Sequence, residues 1–485
     1  MWIFPISLFF LVLGIICAEP TITIFLYSIS ALLISYIVYR HTGKLAPANI
    51  ALRMIVLSSM MQFLWISIYL VTRGSSIVLG NTRFVFIDFE KFSFITIYAL
   101  LIFPMCALFV AYLFSKFSVQ RPIYRHAVNK KKEKCFEVFL SISAFYLIFY
   151  YIGAANLSFL SAFFMYSYLG LIFTPFLIGY FSHQYKRPAV IFMLVYISTA
   201  TFALAGGSRS HVFIPPILFF IGYIQHHLSS KKIIIVLTVI MLIAPFALSI
   251  SAGIEDVRQS VRMYQEDKET LLNVTTEILP DINTIISSAV DYAKSDILQG
   301  VQKGIARLII WTNFAVLTMS PDPIPFRGFS DFLDEIRWRF GFSFLDPNSA
   351  EDETTKNFGI GAANIYGFEV VHGGTVPFSC FADTWSRGGL IYTVFSGILI
   401  CLLFGIIECF IRRIYSKNYY FSIFFITVLA SVAFDCLQNY SMLYTIKFLL
   451  ISTVFWLVLL KVYFIIYNFC SYRKLMSQRD SYSCF

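Results

Sequence analysis

GGLIYTVFSGILICLLFGIIECFI, residues 388–411, is one long apolar run, closed on its C-terminal side by Arg412-Arg413. A helix that crosses the hydrocarbon core of a bilayer needs roughly 20 mostly apolar residues, and this run supplies them without a proline. Working outward, eleven further runs meet the same requirement, near 2–18, 22–39, 54–71, 92–114, 135–152, 157–181, 188–205, 210–227, 233–252, 419–437 and 442–468. The pattern predicts an all-α polytopic membrane protein with about 12 transmembrane helices. Trp2, Trp65 and Trp456 lie among aromatics suited to the membrane–water interfaces.

Composition agrees. Hydrophobic residues make up 58% of the 485 positions and charged residues 13%, against about 25% charged in a soluble domain. The formal charge of +10 falls mainly in short loops between apolar runs, so it reads as orientation in a bilayer and excludes a nucleic-acid partner. Nine cysteines are present without a CxxC pair. Most lie in or beside apolar runs, where cysteine behaves as a small hydrophobe, and no disulfide framework is expected. The N-terminus has no basic stretch, and Ile16 makes Gly14-Ile15-Ile16-Cys17 a poor lipidation signal. Residues 2–18 therefore read as a retained first helix.

Lysine and arginine alternate sharply along the loops. With the N-terminus inside, 20 of them fall in cytoplasmic segments, including Arg40, Lys44, Arg53, Lys116, Arg412 and Arg413, against four (Arg73, Arg83, Lys91, Arg209) in the short outer loops. That asymmetry places both termini in the cytoplasm and requires an even helix count.

One segment breaks the rhythm. Residues 253–387 are hydrophilic, with 11 Lys+Arg against 19 Asp+Glu. Their tryptophans, phenylalanines and helical patterns argue against disorder, and a loop this long is expected to be functional. The chain thus divides into helices 1–9 (1–252), an extracytoplasmic cap (253–387), and helices 10–12 with a cytoplasmic tail (388–485). Within the cap, Gly304–Met319 is apolar enough to span. It is read as an interfacial or re-entrant segment, because a crossing there would turn Arg412, Arg413 and Lys417 outward.

The chain carries no Walker loop, dinucleotide fingerprint, HExxH or GxSxG, and no DxD-type acidic pair. What remains is metal-free, cofactor-free chemistry, or transport. The strongest local signal is Gly206-Gly207-Ser208-Arg209-Ser210-His211. It precedes a helix that runs inward, so its amides and the positive end of the helix dipole lie at the outer face. Ser208 and Ser210 are good caps, while Pro215-Pro216 suit a first turn and let the helix begin late. Amides, a helix start and an arginine make an anion site suited to phosphate. The same residues also fit a tight hairpin whose arginine snorkels to headgroups. Both readings stand at this point.

In the cap, Arg307 and Trp311 share a helical face. His372 stands in Val371-His372-Gly373-Gly374-Thr375-Val376-Pro377, and only it and His211 among the histidines lie outside. A neutral imidazole there could take a proton from a sugar hydroxyl, or be structural. Arg387 either binds phosphate or marks the interface. Asp383 either orients a base or pairs with Arg387, four residues on. Asp435 and Lys447 fall inside apolar runs and should face the bundle interior.

The twelve-helix layout, the G-S-R turn, the large outer loop between helices nine and ten, and the glycine-led tenth helix after an H-G-G-T-x-P stretch together resemble the Wzy oligosaccharide repeat-unit polymerases. These are related in architecture to O-antigen ligases and other membrane glycosyltransferases that use polyprenyl-linked donors. The resemblance covers most of the chain as topology, although its motifs are short, and His372 stands further from the tenth helix than in the ligases. It implies a GT-C-like fold with a mostly helical periplasmic loop in a bacterial inner membrane. The implied enzyme is a metal-independent glycosyltransferase that polymerises undecaprenyl-diphosphate-linked repeat units into O-antigen or a related polysaccharide. Donor and acceptor would both be undecaprenyl-diphosphate-linked oligosaccharides, and a Wzz-like chain-length co-polymerase is an implied partner beside the membrane lipids. Gly207, Ser208, Arg209 and Ser210, with Arg307, Trp311 and Arg387, would hold diphosphate and glycan. Arg209, His372, Arg387 and Asp383 would serve catalysis. An O-antigen ligase and a lipid-linked oligosaccharide flippase are the alternatives.

Overall fold

The computed structural model describes residues 3–46, 49–73, 94–116 and 379–414, the pairs 76–77 and 87–88, and scattered positions in 175–194, 219–223, 287 and 425–469. The described elements are α1 (Ile3–Ile16), α2 (Pro20–Leu45), α3 (Ile50–Arg73), β1 (Ser76–Ile77), β2 (Ile87–Asp88), α4 (Phe94–Ala99), α5 (Ile102–Lys116) and α6 (Cys380–Ile414). The chain is a helical membrane protein. Among the described residues four helices are long and apolar enough to cross a bilayer: Pro20–Leu45, Ile50–Ile68, Ile97–Lys116 and Arg387–Arg413. Among the described residues, the helices are accompanied by one small antiparallel pair, β1–β2, with Ser76 opposite Asp88. Helical positions also fall within the expected runs 157–181, 188–205, 210–227, 419–437 and 442–468. The expected runs 135–152 and 233–252 lie outside the described residues.

α1 and α2 form an antiparallel hairpin. Its turn is fixed by Glu19, whose carboxylate accepts the Ile22 N–H at 3.0 Å in front of Pro20 at the first helical position. A carboxylate cap and an N1 proline both suit a helix start. Lower down, Ser30 Oγ donates to the Ser7 carbonyl at 2.8 Å. α1, at 14 residues, is shorter than the expected 2–18 segment, and it exposes Phe4, Leu8, Phe9, Ile15 and Ile16, an apolar surface suited to acyl chains.

α2 returns to α3 through Ala46–Asn49. Its buried stripe is Ser28, Ala31, Ser35, Val38 and Thr42, small side chains that let neighbouring backbones approach closely inside a membrane. Arg53 ties the turn by donating from Nη2 to the Tyr39 hydroxyl at 2.7 Å, with its guanidinium 4.7 Å from the centre of that ring.

The run expected at 92–114 divides into α4 and α5 around Leu100-Leu101. Pro104, third in α5, accounts for the restart: a first turn has no use for the N–H that proline lacks.

α6 begins eight residues before the expected start at Gly388. Ser379 caps it, its Oγ accepting the Ala382 N–H at 3.0 Å. The helix breaks where the apolar run was expected to start: Gly388 is extended (φ −164°) and Gly389 has φ 59° and ψ −145°, a region essentially reserved for glycine. The two halves are not collinear. The Phe103 ring lies 6.5 Å, centre to centre, from Phe381 and also meets the surface of Gly397. In one straight helix residues 381 and 397 would stand about 24 Å apart, too far for a single phenyl ring to reach both.

Side-chain contacts fix the helix directions. α5 runs parallel to α6: Cys106 Sγ reaches the Val394 carbonyl at 3.6 Å, and the Phe114 ring packs directly on Gly405, leaving no room there for a Cβ. α3 runs antiparallel to α6, since its first N–H groups meet Glu408. Lys44, Arg53, Lys116, Arg412 and Arg413 therefore gather at one end of the bundle, while Glu19, Asp383 and Arg387 lie toward the other.

Candidate functional site

The residues before the glycine break form a compact polar centre. Asp383 and Arg387 are one helical turn apart, so they share a face. Arg387 Nε donates to Asp383 Oδ1 at 2.9 Å, with the two side chains 2% and 0% exposed. The second carboxylate oxygen, Oδ2, accepts the backbone N–H of Met442 at 2.9 Å, where the sequence places the start of the last apolar run. A charged group is costly within a bilayer unless it is paired, and here the pair also joins α6 to a distant part of the chain. Asp383 thus makes the pair with Arg387 that its four-residue spacing allowed.

Aromatic packing holds this half-helix in place. Trp385 stacks on Phe381, with centroids 5.7 Å apart and planes at 20°, and Phe381 meets Phe103 edge-on. Thr384 Oγ1 bonds back to the carbonyls of Cys380 and Phe381 at 2.9 and 3.0 Å. Arg387 is the last residue before the irregular glycines. Beyond them Thr393 Oγ1 donates to the Gly389 carbonyl at 2.8 Å, satisfying a polar group that the break would otherwise leave bare. A side chain at Gly388 would collide with Tyr392, its Cβ only 2.7 Å from that of the tyrosine.

A second centre at the opposite end of α6 was not legible as a site in the sequence. Glu408 is fully buried. Its Oε1 accepts the Ile50 N–H at 3.0 Å, and its Oε2 the Ala51 N–H at 2.8 Å. Arg412, again four residues on, donates to Oε1 from Nε at 3.2 Å and from Nη2 at 2.6 Å. Asn49 Oδ1 accepts the Leu52 N–H at 3.2 Å, so the start of α3 is capped twice, once locally and once from α6. The available signal was a carboxylate inside an otherwise apolar run with an arginine one turn later.

Of the residues singled out from the sequence, Asp383 and Arg387 are brought together. Gly207, Ser208, Arg209, Ser210, Arg307, Trp311 and His372 lie outside the described residues, as do Asp435 and Lys447. Among the described residues no group of three or more His, Cys, Asp or Glu side chains could hold a metal ion. Compared with protein-family models, curated proteins and solved structures, the chain matches none.

Proposed function

We propose that this chain is a polyprenyl-diphosphate-dependent glycosyltransferase that polymerises lipid-linked oligosaccharide repeat units at the periplasmic face of a bacterial inner membrane. The observation that carries this reading is the buried Asp383–Arg387 pair at a glycine break, at the end of the bundle away from the basic cluster. Discontinuous helices at membrane depth are tolerated where they are buried in protein or line a wet cavity, and transporters and membrane enzymes use their ends to meet charged ligands.

Orientation follows from the gathered cations. Lysine and arginine favour the cytoplasmic side, so the end holding Lys44, Arg53, Lys116, Arg412 and Arg413 is assigned inside and Arg387 outside. Parity supports the cap as well. Because α3 starts beside the end of α6, this reading requires an even number of crossings between Asn49 and Arg412. The eight runs expected in that interval satisfy this, whereas a further crossing by 304–319 would not.

In the proposed reaction, the hydroxyl oxygen of the incoming repeat unit bonds to the anomeric carbon of the growing glycan. The bond from that carbon to the diphosphate breaks, its electron pair leaves with undecaprenyl diphosphate, and the hydroxyl proton passes to His372. The leaving group gathers negative charge, which fixed cations stabilise far better in a dry site than in water. Arg209, with the amides around Gly207, Ser208 and Ser210, is the principal diphosphate ligand; Arg387 and Arg307 assist, and Trp311 carries sugar.

Deleting the chain in its host tests the function. A polymerase leaves a lipopolysaccharide ladder stopped at a single repeat, a ligase leaves bare core, and a flippase strands repeat units inside; either of the last two overturns the proposal. Arg209→Ala at normal protein level should reproduce the single-repeat phenotype, and a full ladder would remove Arg209 from the site.

A further inference from the structure

We propose that the α2–α3 turn binds the phosphate of an anionic glycerophospholipid from the leaflet at the basic end of the bundle, with Arg53 as its seat and Arg40 and Lys44 beside it. The proposal needs only that α2 and α3 cross a bilayer, and it does not rest on the polymerase reading. Three observations carry it. First, Arg53 has no anion. Its Nη2 donates to the Tyr39 hydroxyl at 2.7 Å, and its guanidinium lies 4.7 Å from the centre of that ring. Nε is buried without an acceptor, while the residue as a whole is half-buried. A tyrosine hydroxyl is neutral, so it sets the plane of the fork and leaves the charge uncompensated. Arg53 is also the fourth residue of α3, near the positive end of that helix dipole, the wrong end for a cation that serves the fold alone.

Second, the surroundings are rich in donors and positive charge. Asn49 Nδ2 and Thr42 Oγ1 are likewise buried with no partner, and amide and guanidinium nitrogens only donate. Arg40 and Lys44, one turn apart and exposed, flank the Tyr39–Gly43 row of α2 on which Arg53 lies. A Cβ on Gly43 would stand 3.3 Å from Arg53 Nε, so the glycine lets the guanidinium settle against the helix. Among the described residues the carboxylate at this end is Glu408, and it is taken up by Arg412 and the first amides of α3. Third, the depth is that of a headgroup. Arg53 lies three residues, about 5 Å, inside the start of α3, beneath a turn whose Ala46 and Asn49 are buried. Tyr36, exposed on α2 one turn before Arg40, sits at a level where tyrosine meets the membrane interface. The site therefore opens sideways to the leaflet rather than upward to water. Basic residues gathered at helix ends hold anionic headgroups there, and a guanidinium fixed in its plane is a preformed phosphate donor.

To test this, the full chain is purified in neutral detergent and titrated with phosphatidylglycerol or phosphatidylcholine, and the bound lipid is counted by native mass spectrometry. The wild type should retain phosphatidylglycerol in preference to phosphatidylcholine. Arg53→Gln should weaken that retention about fivefold, and the double variant Arg40→Gln with Lys44→Gln about 25-fold. Arg413→Gln, which removes an exposed cation of α6 at the same end, should stay within about twofold of the wild type. If Arg53→Gln does not fold, the double variant, whose two residues are exposed, decides alone. Unchanged retention in either variant overturns the site. So does equal weakening by Arg413→Gln, which would show general attraction to the basic end. Glycerophosphoglycerol, the same headgroup without acyl chains, should fail to displace the lipid at millimolar concentration; displacement would give the site to a soluble anion and overturn the lipid assignment.

Discussion

α6 carries the same arrangement near each end. At residues 408–412 a carboxylate and an arginine one turn later bind the start of α3; at 383–387 the same pair binds the backbone at Met442. The surroundings differ. Glu408 stands in continuous helix, receives two backbone N–H groups and two bonds from one arginine, and sits where the basic residues gather. Asp383 lies in a half-helix that stops one residue after its arginine, at a glycine pair with backbone angles that other residues resist. The same local arrangement thus ties α6 to α3 where the backbone runs on, and to the backbone at Met442 where the helix is broken. Position relative to the break is what distinguishes the two ends, because the side-chain chemistry is nearly the same.

The largest expected effect is at the Glu408 end. Glu408→Ala leaves Arg412 buried without its carboxylate and uncaps Ile50 and Ala51, which should cost about 4–5 kcal/mol; the yield of folded protein and its melting in detergent measure this. Asp383→Ala leaves Arg387 without this carboxylate and the Met442 N–H without its acceptor, and should cost about 3 kcal/mol, seen in the same melt, with the loss of turnover exceeding the loss of folded protein. An equal stability loss at both ends, with no extra loss of turnover at Asp383, would collapse the distinction.

Gly389→Ala forces a Cβ into a region that only glycine occupies comfortably, at a cost of about 1–3 kcal/mol. Because this strain falls at the break, it should perturb the Asp383 end and leave the Glu408 end intact, which limited proteolysis from each side of the membrane can read. The smallest effect is Asn49→Ala, about 1 kcal/mol for a lost cap. It should grow in a Glu408→Gln background, since both side chains satisfy the same first turn of α3; simple additivity in the double-mutant cycle would show that they act independently.

Much of the scaffold was legible in the sequence because a bilayer imposes one demand, an apolar run of sufficient length, that composition displays directly. α2, α3, α5 and the body of α6 fall on the expected runs with ends displaced by a few residues. The displacements have local causes. Pro104 restarts α5 after Leu100-Leu101, and Ser379 caps α6 earlier than hydropathy alone suggests, since Cys380–Arg387 contains charges that a search for apolar runs discards. The Asp383–Arg387 pair could be anticipated from its four-residue spacing. Its third partner could not, as nothing near Met442 advertises a backbone N–H directed at residue 383.

By itself, the sequence determined that the chain is a helical membrane protein, that the runs near 22–39, 54–71, 92–114 and 388–411 are long and apolar enough to cross a bilayer, and where positive charge is concentrated, since each follows from local composition. Tertiary structure alone decided that Glu408 caps α3 across more than 350 residues of chain, that α5 and α6 run side by side through Gly405, and that the Gly388–Gly389 pair bends α6. Those outcomes depend on which surfaces meet. A hydropathy run specifies that a helix will be buried in lipid, but the partner that satisfies a buried carboxylate is fixed only when distant helices have packed.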